Sequence, residues 1–83
     1  MSENNSVEVW GLENCPLCLE EADRIQALGF CVTHRDFDTE LKDMNIIERS
    51  EIMAAYEWGG QFLPIVCYQG NAMVYGEFMK VIQ

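Results

Sequence analysis

Eighty-three residues, 49% of them hydrophobic and with only two prolines and six glycines, describe one globular domain with no room for a second core. Five basic against fourteen acidic side chains leave a formal net charge of -9. That balance argues against a nucleic-acid partner or an anionic membrane surface, both of which require a basic face, and is read as a source of solubility. No apolar run approaches the roughly 20 residues that span a bilayer. Residues 1–6 are polar and carry neither the basic patch nor the apolar stretch of a signal peptide. A cytoplasmic monomer is the expectation.

Val7-Glu8-Val9-Trp10 alternates apolar and polar side chains and predicts a short strand. After a loop over residues 11–14, Leu19, Ala22 and Ile25, with Ala27 and Leu28 beyond, recur at helical spacing. Pro16 suits the first turn of that helix, where its missing N–H costs nothing, and Gly29 is a natural stop. Glu20, Glu21, Asp23 and Gln26 fall on the solvent side. Residues 30–35 predict a second strand, and an acidic turn follows over residues 36–38. From Thr39 to about Tyr56 the chain is helical in character, with Leu41, Met44, Ile47, Ile52, Ala55 and Tyr56 as core positions. Its irregular middle, residues 45–50, suggests two short helices, and Gly59-Gly60 ends them. Pro64 opens a third strand over residues 65–68. Gln69-Gly70-Asn71 then turns the chain into a fourth over 72–75, and a short final helix occupies residues 76–83. The order β-α-β-α-β-β-α gives an α/β domain: a parallel pair joined by a right-handed crossover, plus a closing hairpin, in one mixed sheet flanked by helices.

Four cysteines in a short chain form a disulfide scaffold only in a secretory setting. Without one, Cys15-Pro16-Leu17-Cys18 reads as a redox or metal motif. A zinc site needs a second close Cys or His pair, whereas Cys31, Cys67 and His34 each stand alone. Redox chemistry fits the context better, because the motif follows a strand and loop and opens a helix. The thiolate is the nucleophile in disulfide exchange, and an ordinary cysteine with a pKa near 8.5 is only about 3% thiolate at neutral pH. Bringing that pKa to about 7 takes roughly 2 kcal/mol of anion stabilisation. A helix N-terminus supplies unpaired N–H donors and partial positive charge at Cys15. Cys18, one turn along, is then close enough to resolve a mixed disulfide, with Pro16 stiffening the loop and Leu17 offering an apolar contact.

The cysteine pair together with Phe62-Leu63-Pro64-Ile65-Val66, and with Gly70 and Gly76 beyond, resembles the glutaredoxin family of the thioredoxin-fold superfamily. By itself Pro64 reads as an ordinary trans proline beginning an edge strand. The resemblance instead makes it a cis proline facing the Cys-x-x-Cys loop, with Leu63 as a substrate-contact position. It implies a thioredoxin-like, four-stranded sheet and adds Tyr75 and Gly76 to the substrate site. The chain also departs from the pattern. Leu12 stands where a lysine is common, Leu17 replaces a tyrosine and Phe62 a threonine. Tyr75-Gly76-Glu77 replaces a Gly-Gly pair and the acid after it. Those positions hold glutathione in the family, and Glu13 adds negative charge beside them.

The expectation is therefore a dithiol–disulfide oxidoreductase acting through Cys15 and Cys18 on protein disulfides or glutathione mixed disulfides, with an enzyme such as ribonucleotide reductase among the acceptors the resemblance suggests. It needs no bound cofactor, and glutathione or a flavin disulfide reductase would return its electrons. Two alternatives stand beside it: an iron–sulfur cluster carrier of the glutaredoxin type, and a binding module that kept the fold without the chemistry. Trp10 and Trp58 are read as partly buried anchors, and Cys31 and Cys67 as small buried hydrophobes. Tyr75 is read as a rim contact. His34 is too isolated to be a general base.

Overall fold

The computed structural model describes residues 5–12 and 14–82. Strand β1 (Ser6–Gly11) is the spine of the sheet, because alternation along it satisfies two faces at once. Val7 and Val9 enter one core and Trp10 the other, all three buried. Strand β2 (Cys31–Asp36) lies parallel to β1, with Ser6 opposite Cys31 and Gly11 opposite Asp36. On the other side β3 (Ile65–Tyr68) runs antiparallel, with Val7 opposite Tyr68 and Trp10 opposite Ile65. Strand β4 (Asn71–Val74) completes the order β2-β1-β3-β4. The β3–β4 turn places Gln69 and Gly70 at φ 51° and 81°, the double left-handed conformation of the tight turn whose twist matches a hairpin. The second of these positions is where glycine is needed.

Helix α1 (Pro16–Ala27) and helix α3 (Tyr75–Val81) cover the face built from Val7, Val9 and Val66, inserting Ala22, Ile25 and Phe78. Phe30, Tyr68 and Phe78 close this core as three edge-to-face pairs, 5.4–5.7 Å between centroids. Each such pair is worth about 0.5–1.5 kcal/mol beyond its burial. Helix α2 (Ile46–Trp58) covers the opposite face, packing Ile52 with Trp10, Ile65 and Leu41. The Asn45 side chain accepts the Glu48 N–H at 2.9 Å and caps α2. A separate 3-10 turn over Leu41–Asp43 precedes it, so the second helical region is in two pieces, but the break falls at Met44 and Asn45, and residues 46–50, expected to be irregular, are the regular start of α2.

Several expectations are corrected. The buried stripe of α1 is Cys18, Ala22 and Ile25, and Leu19 and Leu28 are exposed. Ile47 protrudes from the first turn of α2 and is exposed rather than core. Trp58, the last residue of α2, is 90% exposed and anchors nothing, in contrast to Trp10. Cys31 is exposed on the edge strand, and Cys67 is half-buried. Tyr75 begins α3 instead of ending β4. Among the described residues, no helix is long and apolar enough to cross a membrane.

Candidate dithiol site and its two flanking surfaces

The chain reaches the site where β1 ends and α1 begins. Cys15 sits at the N-cap of α1 in an extended conformation (φ -110°, ψ 97°), and Pro16 takes the first helical position. The Cys15 N–H donates to the Leu12 carbonyl at 3.1 Å, closing the turn that turns the strand into the helix. In an ordinary helix the N-cap side chain is an oxygen; here the Cys15 Sγ accepts the Cys18 N–H at 3.3 Å. Cys15 and Cys18 are joined as a disulfide, their Cα atoms 5.3 Å apart. Their surroundings differ. Cys15 is partly exposed, while Cys18 is 5% exposed and packs beneath the end of β1.

Gly11 makes that packing possible, and its role was not anticipated. A Cβ at Gly11 would lie 2.8 Å from the Cys18 Cβ and 2.9 Å from its Sγ, closer than such atoms approach. A glycine ending a strand four residues before a Cys-x-x-Cys motif is the signal that would have revealed it.

On the β3–β4 side of the dithiol lies an open groove of about 350 Å³. The Leu63–Pro64 peptide bond is cis, and Pro64 is buried at the groove. Leu17, Leu63, Tyr75 and Gly76 share its lining, so five of the positions expected to contact substrate converge on one surface. Pro16 is exposed at the helix start and does not line it. Two further residues do. Phe62 contributes an exposed ring, and Glu21, expected on the solvent side of α1, is half-buried. Burial raises the Glu21 carboxyl pKa above its ordinary value. The nearby charge of Arg24 lowers it, and Glu20 raises it further.

On the β2 side a cleft of about 410 Å³ is lined by Cys18, Gly11 and Leu12 together with His34, Arg35, Asp36 and Glu40. Leu12 thus belongs to this cleft and not to the Pro64 groove; Glu13 lies outside the described residues. The cleft's cation is already engaged. Arg35 Nη1 pairs with Glu8 Oε2 at 3.1 Å and its Nε with Glu40 Oε1 at 2.7 Å, while the guanidinium lies 4.9 Å from the centre of the Trp10 ring. The Asp36 carboxylate accepts the N–H groups of Asp38 and Thr39 at 2.8 and 2.9 Å, the Thr39 bond being the larger cause of its lowered pKa. His34, isolated in sequence, comes to the same cleft as Cys18.

The two remaining cysteines are unbridged. Burial, with the negative charges of Glu8 and Glu51, raises the Cys67 pKa to about 11, against a smaller lowering by the charge of Arg35. Among the described residues no group of three or more His, Cys, Asp or Glu side chains is arranged to hold a metal ion.

No protein-family model matches the chain, and no curated protein does. Among solved structures it is similar to a glutaredoxin from Archaeoglobus fulgidus, with a TM-score of 0.55 and 16% sequence identity over 99% of this chain and 89% of that one. The likeness spans the whole architecture, and it shows that the chain has the thioredoxin-like fold in its glutaredoxin form.

Proposed function

We propose that this chain is a dithiol–disulfide oxidoreductase in which Cys15 is the nucleophile and Cys18 the resolving thiol. The observation that carries the reading is the bonded pair at the N-terminus of α1, one sulfur partly exposed and the other buried, beside a groove lined by Leu17, Leu63 and Pro64. In the reduced protein the Cys15 thiolate attacks one sulfur of a substrate disulfide; a Cys15–substrate bond forms as the substrate S–S bond breaks, and the first substrate thiolate leaves and takes up a proton. Cys18, deprotonated, then attacks Cys15 Sγ, forming the Cys15–Cys18 bond and expelling the second substrate thiolate. Two electrons pass from the dithiol to the substrate. The Cys18 N–H that contacts Cys15 Sγ, together with the partial positive charge of the helix end, favours the anionic sulfur. An external thiol, glutathione or a flavin-dependent disulfide reductase restores the pair, and no bound cofactor takes part.

Protein disulfides are the preferred acceptors. The groove holds no cation to receive the carboxylates of glutathione, and the protein's charge of -9 repels an anionic ligand at low salt. The test is reduction of insulin disulfides and of a glutathione mixed disulfide by the reduced protein. Turnover of insulin, lost in Cys15→Ser, is expected. Failure to reduce either substrate would exclude the oxidoreductase reading and leave the fold as a binding module.

A further inference from the structure

The groove beside the dithiol is apolar except at one point. Leu17, Phe62, Leu63, Pro64 and Val74 supply its hydrophobic surface, and Leu17 and Phe62, although apolar, are left 49% and 69% exposed. Glu21 is its one carboxylate, one helical turn from Leu17 on the same side of α1, so the two side chains are neighbours. None of the chain's five Lys and Arg residues lines the groove, and among the described residues none comes within 4.0 Å of the Glu21 carboxylate. A carboxylate partly removed from water and without an ion-pair partner gains from an incoming cation more than a fully solvated one does. An incoming anion meets the opposite: repulsion from Glu21 and from the net charge of the protein, while Arg24, whose charge acts on Glu21, does not line the groove.

We infer that this groove selects protein disulfides whose reacting cysteine is flanked by an apolar residue and by a lysine or arginine, with Leu17 and Phe62 receiving the apolar side chain and Glu21 the cation. This rests on the dithiol reading and names the substrate class of that same site. Glu21 is a specificity-determining residue: it neither donates nor accepts electrons, and it sets which disulfides come within reach of Cys15. The occupant is an exposed, extended segment of a partner protein. Charge complementarity favours it over glutathione, which carries two carboxylates and one ammonium group.

The test uses the reduced full chain and two peptides, each bearing one cysteine as a mixed disulfide with 2-mercaptoethanol. The peptides share a leucine beside the cysteine and differ only in a lysine or a glutamate on its other side. Release of the peptide thiol is followed at low and at high salt. The lysine peptide is expected to react fivefold or more faster than the glutamate peptide at low salt, and the ratio should shrink as salt is added. Glu21→Gln should bring the ratio below twofold and Glu21→Lys should invert it. Glu20→Gln, which removes the same unit of charge from an exposed neighbour outside the groove, should retain it. Equal rates for the two wild-type peptides would overturn the inference. So would a ratio that Glu21→Gln and Glu20→Gln reduce alike, since the overall charge and not the groove would then be selecting. Reduction of bis(2-hydroxyethyl) disulfide, small and uncharged, by the wild-type protein separates the two readings. If that reaction fails, the dithiol chemistry is wrong; if it proceeds while the peptides are not distinguished, only the groove's selectivity is.

Discussion

On the β3–β4 side of the Cys15–Cys18 bridge, Leu17, Phe62, Leu63 and Pro64 present apolar surface with one carboxylate. On the β2 side, His34, Arg35, Asp36 and Glu40 present a charged cleft whose cation is held by two glutamates. Both surfaces border the same motif, yet each borders a different part of it: Leu17 opens to the groove, while Cys18 borders the cleft. In the function proposed above, the contrast separates two tasks. Recognition of a partner falls to a surface that gains by being covered. The chemistry of the buried sulfur falls to a wall fixed by ion pairs and by Gly11, where a side chain of any size would collide with Cys18.

The sharpest way to break that division is at the sulfurs. Cys18→Ser leaves the exposed nucleophile without its resolver, so mixed disulfides with substrate should accumulate, visible as a mass increase that dithiothreitol removes. In the reduced wild type, Cys15 should be alkylated well before Cys18. If Cys18 reacts first, the assignment of nucleophile and resolver is reversed.

Gly11→Ala tests the wall. The added methyl group has nowhere to go without displacing Cys18, and overpacking of this kind costs about 1–3 kcal/mol. A lowered Tm is expected, with loss of disulfide exchange beyond what the lower stability explains. An unchanged Tm would show that β1 and α1 are not closely fitted at this point.

Leu12→Lys tests whether charge in the cleft carries across the motif to the ligand. One added cation in a partly exposed site is worth about 0.5–2 kcal/mol, or about two- to thirtyfold. Glutathione-coupled turnover should rise by that factor and Cys15 alkylation near neutral pH should quicken, because a nearby cation favours the thiolate. Unchanged turnover, starting from an efficient wild type, would place the glutathione contacts elsewhere.

A last effect concerns Cys67, which packs on the α2 face and lines neither of the two surfaces. Its folded-state pKa, about 11, lies well above the ordinary thiol value. Below pH 9 the thiol is protonated folded or unfolded and stability does not respond to it. Between about pH 9 and 11 only the unfolded chain loses the proton, so stability should fall, by on the order of 2 kcal/mol. Denaturant melts across that range should show the loss, and Cys67→Ala should flatten it.

The strand pattern was legible in the sequence because both faces of β1 are occupied: Val7, Val9 and Trp10 fix its alternation whichever face is considered. The cysteine motif was legible because a strand, a loop and Pro16 surround it. Other features depend on distance from the sheet, which periodicity does not report. Leu19, Ile47 and Trp58 carry the right residue types at helical spacing but stand exposed. In α1 the core stripe runs through Cys18, whose chemistry drew attention from its packing. Cys31 lies on an edge strand, and nothing local in its sequence distinguishes an edge from a centre. Glu21 and His34 acquire their neighbours only through tertiary contacts, from β4 and the 62–64 loop for one and from the start of α1 for the other.

The bridge between Cys15 and Cys18 closes a ring of four residues at one helix end. For so short a ring the chain-entropy contribution to stability is about 2 kcal/mol, against nearly 5 for a loop of about 100 residues. Neither hydrophobic cluster spans it: one is held by Val7, Ile25 and Phe78, the other by Trp10, Ile52 and Ile65. In the proposed chemistry the ring would therefore take up two electrons and give them back while the framework stands still, as a battery terminal does, and each cycle would lose little to rebuilding the support.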